Sequence, residues 1–110
     1  MKLVWSPAAL DDLKSAIDYI EFDLDSPMAA KRFYESTLDK AHLFANVLGS
    51  GITLKTTRDI DTGYRYIVCG NWILFFMIEE NQALVVRLLY GRSDYMRTLF
   101  GDIDKVSYFK

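Results

Sequence analysis

Apolar residues recur every three or four positions in the first half of the chain. Leu10, Leu13, Ile17, Ile20 and Leu24 form one such series, predicting a helix over about residues 7–24 with those side chains on one stripe. Ser6-Pro7 supplies an N-cap followed by the residue favoured at the first helical position, and Asp11 and Asp12 suit the positive end of the helix dipole. Ser26-Pro27 repeats the signal at once. A second helix is predicted over about residues 27–48, with Ala30, Tyr34, Leu38, Ala41, Ala45 and Leu48 as its stripe, stopped by Gly49-Ser50-Gly51. Two long helices joined this tightly make a helical hairpin.

The period then shortens. Residues 52–62 read as a loop or weak strand. Three β-rich runs follow, Tyr64–Val68, Trp72–Ile78 and Ala83–Tyr90, separated by Gly70-Asn71 and by Glu80-Asn81. Strict alternation in the last run sends Leu84, Val86, Leu88 and Tyr90 to one face and Val85, Arg87 and Leu89 to the other. The middle run is apolar on both faces, as a central strand would be. Leu3-Val4-Trp5 predicts a short first strand at the edge of the sheet, and Asp94 caps a final short helix from Tyr95 to Phe100. The expected fold is α+β, in the order β-α-α-β-β-β with a short C-terminal helix. Residues 1–101 make one domain, and 102–110 make a tail without clear pattern.

Composition narrows the function. The chain has 110 residues, one Cys and one His, with 13 Lys+Arg against 15 Asp+Glu. A net charge of -2 argues against coating nucleic acid by bulk charge. One Cys builds no disulfide framework, and the longest apolar run, Trp72–Ile78, is too short to cross a bilayer, so a cytoplasmic location and no membrane partner are expected. His42 and Cys69 match no metal-ligand spacing, and no glycine-rich phosphate loop opens a helix, so no metal or cofactor is expected. His42 reads as an ordinary helix residue and Cys69 as a small apolar filler.

The charge is unevenly spread. Residues 1–54 carry five cations against eight acids, whereas residues 55–97 carry six cations, five of them Arg, against five acids. The acids of the helices read as a solvated face. Arg65 and Arg87 lie inside strands among apolar neighbours, which Arg seldom does unless paired. Either they form sheet-face salt bridges, or they belong with Arg92 to a small anion-facing cluster.

In this setting three stretches carry a resemblance. Val4-Trp5-Ser6-Pro7-Ala8-Ala9-Leu10-Asp11-Asp12-Leu13 looks like the first strand and helix start of the RelE/ParE superfamily of toxins from type II toxin–antitoxin systems. Tyr64–Val68 with Trp72–Ile78 looks like its central hairpin. Val85-Val86-Arg87-Leu88-Leu89-Tyr90-Gly91-Arg92-Ser93-Asp94-Tyr95 looks like its last strand and following turn. The resemblance implies a helical hairpin packed on a twisted antiparallel sheet. It also implies one of two activities. RelE-like members cut mRNA in the ribosome without a metal, which needs a proton acceptor, cations for the phosphorane and a donor for the leaving oxygen. ParE-like members inhibit DNA gyrase as a protein target.

Carried over residue by residue, the catalytic candidates are Arg65, Arg87, Tyr90 and Arg92, with Tyr95 near the position of a C-terminal Tyr used by some nucleases. Ile67 and Ile73 stand where nucleases often hold cations, which tips the expectation towards a ParE-like inhibitor. An endoribonuclease and a degenerate toxin that only binds antitoxin are the alternatives. The expected partners are a cognate antitoxin, in a possible hetero-oligomer, and either gyrase or the ribosome and its mRNA. Phe22, Phe33 and Phe44, off the main helical stripes, are candidates for the antitoxin groove unless they pad the core. A sheet edge could also accept a strand, and the tail Val106–Phe109 could cover one.

Overall fold

The computed structural model describes residues 2–46, 51–56 and 58–101. Strand β1 (Lys2–Trp5) leads into helix α1 (Pro7–Asp18), a π-helical turn (Tyr19–Asp23) and helix α2 (Pro27–Asn46). Strands β2 (Ile52–Lys55), β3 (Asp61–Cys69), β4 (Trp72–Glu79) and β5 (Gln82–Tyr90) follow, and a short helix α3 (Tyr95–Phe100) ends the described chain. The expected α+β order is present. The stretch read as loop or weak strand supplies β2 and the start of β3. The tail from residue 102 and the expected end of the second helix at 47–48 lie outside the described residues.

The five strands form one sheet in the order β1-β5-β4-β3-β2. Its last four strands pair antiparallel in sequence, through tight turns whose reversals place Glu80, Asn81 and Gly70 at positive φ. β1 joins the edge as expected, but runs parallel to β5, with Leu3 opposite Ala83 and Trp5 opposite Val85. The sheet is therefore mixed. The hairpin returns the chain so that β1 comes alongside the strand made last.

α1 and α2 cover one face. Ala9, Leu13 and Ala16 of α1, with Ala41, Phe44 and Ala45 of α2, close over Leu74, Phe76, Val85 and Leu88 of the sheet. Small residues on the helices let them approach closely, and Phe44 stacks on Phe76 with ring centroids 3.9 Å apart. The buried positions of α2 are Ala30, Thr37, Ala41, Phe44 and Ala45, while Tyr34 of the predicted stripe is exposed. The stripe is thus rotated by about one residue from the apolar pattern. Thr37, polar by type, lies inside, and its hydroxyl makes no well-shaped hydrogen bond. On α1, Leu10 and Leu24 of the predicted stripe are exposed.

β5 departs from strict alternation for a physical reason. A bulge leaves Val86 without a partner between the Phe75–Arg87 and Phe76–Val85 pairs. The extra residue shifts the phase, so Val85 and Leu88 both enter the helix-side core. The bulge lies where β1 stops. Beyond Trp5 the chain turns into α1, with Ser6 N–H donating to the Val85 carbonyl at 2.9 Å and Ser6 Oγ donating to the Val86 carbonyl at 2.7 Å. The same Ser6 Oγ accepts from Ala9 N–H at 3.0 Å as the N-cap of α1.

Candidate functional site

Each of the four candidate side chains is held by a different part of the sheet. Arg87 lies on β5 just past the bulge, where β1 no longer covers the edge. Asp12 of α1 fills that gap. Its carboxylate accepts from Arg87 Nε at 2.6 Å, from Arg87 Nη2 at 2.9 Å and from the Leu88 backbone N–H at 3.0 Å. One carboxylate therefore replaces the missing strand at Leu88 and neutralises a half-buried guanidinium through a two-pronged contact. The hydrogen bond to Asp12 stabilises the charged guanidinium and moves its proton affinity upward, against the cost of burial. Of the two sequence readings of Arg87, the salt bridge is the one observed.

Arg65 is opposite Phe76 on β3, and its Nη1 donates to Thr53 Oγ1 of β2 at 3.2 Å. It borders a shallow hollow with Thr53, Asp61, Tyr64 and Ile78. Tyr90 is opposite Trp72 at the far end of β4. Four residues of strand and two strand spacings separate Arg65 from Tyr90, or roughly 16 Å between backbones. Arg65 and Tyr90 are thus too far apart to act on one phosphate.

Tyr90 and Arg92 do come together. They line a hollow of about 210 Å³ at the end of the sheet with Val68, Asn71, Trp72 and Ile73. Gly91 between them donates its N–H to the Asn71 carbonyl at 2.8 Å, and a Cβ there would sit 3.2 Å from that oxygen, so a side chain would crowd the turn. Ser93 Oγ donates to the Tyr90 carbonyl, and Asp94 caps α3 by accepting from Arg97 N–H at 3.4 Å. The Tyr90 ring stands edge-on to Trp72 at 5.3 Å, and Trp72 in turn meets Phe33 at 5.1 Å and Tyr19 at 6.1 Å. Phe33 and Phe44 thus pack inward, while Phe22 alone of the three helical phenylalanines is freely exposed, at 70%.

The sheet face away from the hairpin is aromatic. Tyr66, Ile73, Phe75 and Tyr95 line a hollow of about 170 Å³ with Leu54; Phe75 is fully buried, its ring 5.5 Å from that of Tyr95 on α3. Phe100 meets Tyr64 edge-on at 5.2 Å. Ile73, at a position where nucleases of the resembled superfamily often hold a cation, is therefore part of an apolar wall. Ile67, the other such position, packs against the helix-side core.

Sequence reasoning passed over Lys40. Its Nζ donates to the Val68 carbonyl at 3.0 Å across 28 residues of chain. Cys69, buried at the end of β3, lies nearby: burial pushes its thiol upward, opposed in part by the Lys40 charge and the Thr37 hydroxyl. A lysine four residues before the end of an amphipathic stripe carries no signal that it will reach a strand edge. His42 is exposed and Cys69 is a filler, as read. Among the described residues no three His, Cys, Asp or Glu side chains group as metal ligands, and no helix is long and apolar enough to cross a membrane.

Comparison with known proteins was made against this geometry. The family model described as "ParE toxin of type II toxin-antitoxin system, parDE" matches residues 3–95. No curated protein sequence matches the chain. A solved structure of the chromosomal ParDE toxin–antitoxin system from P. aeruginosa superposes with a TM-score of 0.66 and 19% identity, covering 82% of this chain and 95% of that one. A YoeB/ParE toxin from Agrobacterium tumefaciens superposes with a TM-score of 0.56 and 17% identity, covering 82% of this chain and 98% of that one. At these identities the structural likeness speaks for the fold.

Proposed function

Because the chain belongs to the ParE toxin family of type II toxin–antitoxin systems, within the RelE/ParE superfamily, we propose that it arrests growth in the cytoplasm by binding a protein target, DNA gyrase, rather than by cutting mRNA. One observation carries this reading: the candidate catalytic side chains do not assemble. Arg87 is spent on Asp12, Arg65 is roughly 16 Å from Tyr90, and the sheet face around Ile73 is walled by Tyr66, Phe75 and Tyr95. Cleavage by a ribose 2′-hydroxyl needs a base, an acid and phosphate-facing cations within a few ångströms of one another. Tyr90 and Arg92 alone offer one proton donor and one cation.

The same pair suits binding. Both are exposed, side by side, on a rigid turn over an aromatic cluster, and Tyr and Arg are the residue types that anchor protein interfaces. In this reading Tyr90 and Arg92 touch the target, while Arg87 is a positioning residue that holds β5 to α1.

Purified protein added to a gyrase supercoiling assay is expected to inhibit it, with Arg92→Ala weakening inhibition several-fold and leaving thermal unfolding unchanged. Sequencing of mRNA ends after induction is expected to show no codon-positioned cuts. Cuts that disappear in Arg92→Ala would overturn the proposal in favour of a ribosome-dependent endoribonuclease. Growth unaffected by expression, with antitoxin binding intact, would overturn it in favour of an inactive toxin.

A further inference from the structure

β2 pairs with β3 only as far as Ile52 opposite Tyr66, so Ile67, Val68 and Cys69 run on past their neighbour. Over this uncovered stretch, between β3 and α2, is an open hollow of about 420 Å³ lined by Lys40, Leu43, Gly51, Ile52, Tyr66, Ile67 and Val68. Its rim is apolar and wet: Leu43 is 59% exposed, Ile52 56% and Val68 51%. The only charged side chain lining it is Lys40, which has no carboxylate partner among the described ion pairs.

We propose that this hollow is the docking site for a helical segment of the cognate antitoxin, which inserts a bulky apolar side chain between Leu43, Ile52 and Val68 and sets a carboxylate on Lys40. The proposal rests on the chain being a type II toxin and not on gyrase as its target. The occupant is a helix rather than an added strand because the exposed edge is already plugged: Lys40 Nζ occupies the Val68 carbonyl, and lysine at a sheet edge obstructs strand pairing. Charge complementarity supplies the acidic residue, since an otherwise acidic protein presents here a lone cation beside apolar surface. A carboxylate one helical turn from the apolar anchor would meet the ammonium group while the anchor fills the cavity. The antitoxin is the partner with which a stored toxin stays associated. A concave apolar patch, a liability on a free chain, is best covered by such a lasting partner.

The test titrates purified toxin with purified antitoxin. Leu43→Glu and Lys40→Glu each weaken binding by about 30-fold, as expected for loss of a central anchor or reversal of its charge. Phe22→Glu, near the other end of α2, leaves binding unchanged. Gyrase inhibition by Leu43→Glu persists and is no longer relieved by antitoxin. As a second readout that needs no folded variant, the methyl resonances of Leu43 and Val68 in the unaltered protein shift on adding antitoxin. Antitoxin affinity unchanged in both hollow variants, or lost only in Phe22→Glu, would overturn the proposal. So would static methyl resonances, or a change in the toxin's own oligomeric state with antitoxin affinity intact. Loss of gyrase inhibition by Leu43→Glu with antitoxin binding retained would reassign the hollow to the target.

Discussion

At the scale of single residues, Asp12 makes the costliest polar contact of the described fold. It serves two donors that have no other carboxylate, the Arg87 guanidinium and the Leu88 N–H. Asp12→Asn would leave a guanidinium with under a third of its side chain exposed facing a neutral amide. A loss of about 2–3 kcal/mol is expected in urea or guanidinium unfolding. Arg87→Lys is expected to recover little, because a single ammonium reproduces neither the fork geometry nor the reach. Thr37 predicts the opposite sign. Its hydroxyl is fully buried and poorly satisfied, so Thr37→Val, equal in shape, is expected to be neutral or to stabilise by up to about 1 kcal/mol. The same denaturation curves measure both.

At the scale of elements, Ser6 links a strand to a helix. It caps α1, and its Oγ also donates to Val86 at the bulge of β5. Ser6→Ala removes both contacts, and a cost of about 1–2 kcal/mol is expected in thermal or chemical unfolding. This junction also marks how far the sequence could be read. Helix starts at Pro7 and Pro27, the paired reversals at Gly70-Asn71 and Glu80-Asn81, and the central position of β4 were legible because each follows from local chemistry. The bulge at Val86 was not. A two-residue period has no term for an extra residue, and it was this shift that brought Val85 and Leu88 to the same face. The rotation of α2 was hidden similarly: apolarity pointed to Tyr34, while the sheet accepted Thr37 and Phe44. Of the site, Arg87 was rightly suspected of pairing, but its partner is 75 residues away, beyond any pattern of spacing. The Lys40 contact was illegible for the same reason.

At the scale of the whole molecule, the buried thiol couples stability to alkaline pH. Cys69 holds its proton more tightly when folded than the ordinary value of 9.0, chiefly because burial disfavours the thiolate. The unfolded chain loses that proton first. The contribution is therefore fully present below about pH 9 and is lost as pH rises through the folded value. Unfolding measured from pH 7 to 10.5 is expected to fall more steeply in the unaltered protein than in Cys69→Ala, whatever their absolute stabilities. Alkylation at pH 8 is expected to be slow in the native state and fast in denaturant.

The parallel pairing of β1 with β5 has a temporal consequence. Residues 2–5 find their partners only at residues 82–85, and Asp12 waits for Arg87 and Leu88. Both ends of the sheet's parallel pair are thus decided by nearly the whole chain, and closing so long a loop is slow compared with winding the hairpin. During synthesis the helices emerge first, with their apolar sides uncovered and their edge strand unpaired. The turn bearing Tyr90 and Arg92 is the last part of this sheet to be translated and is anchored by the contacts that close it. A growing or prematurely ended chain lacks both its lock and its recognition surface, so harm to the cell begins only once synthesis has passed the final strand.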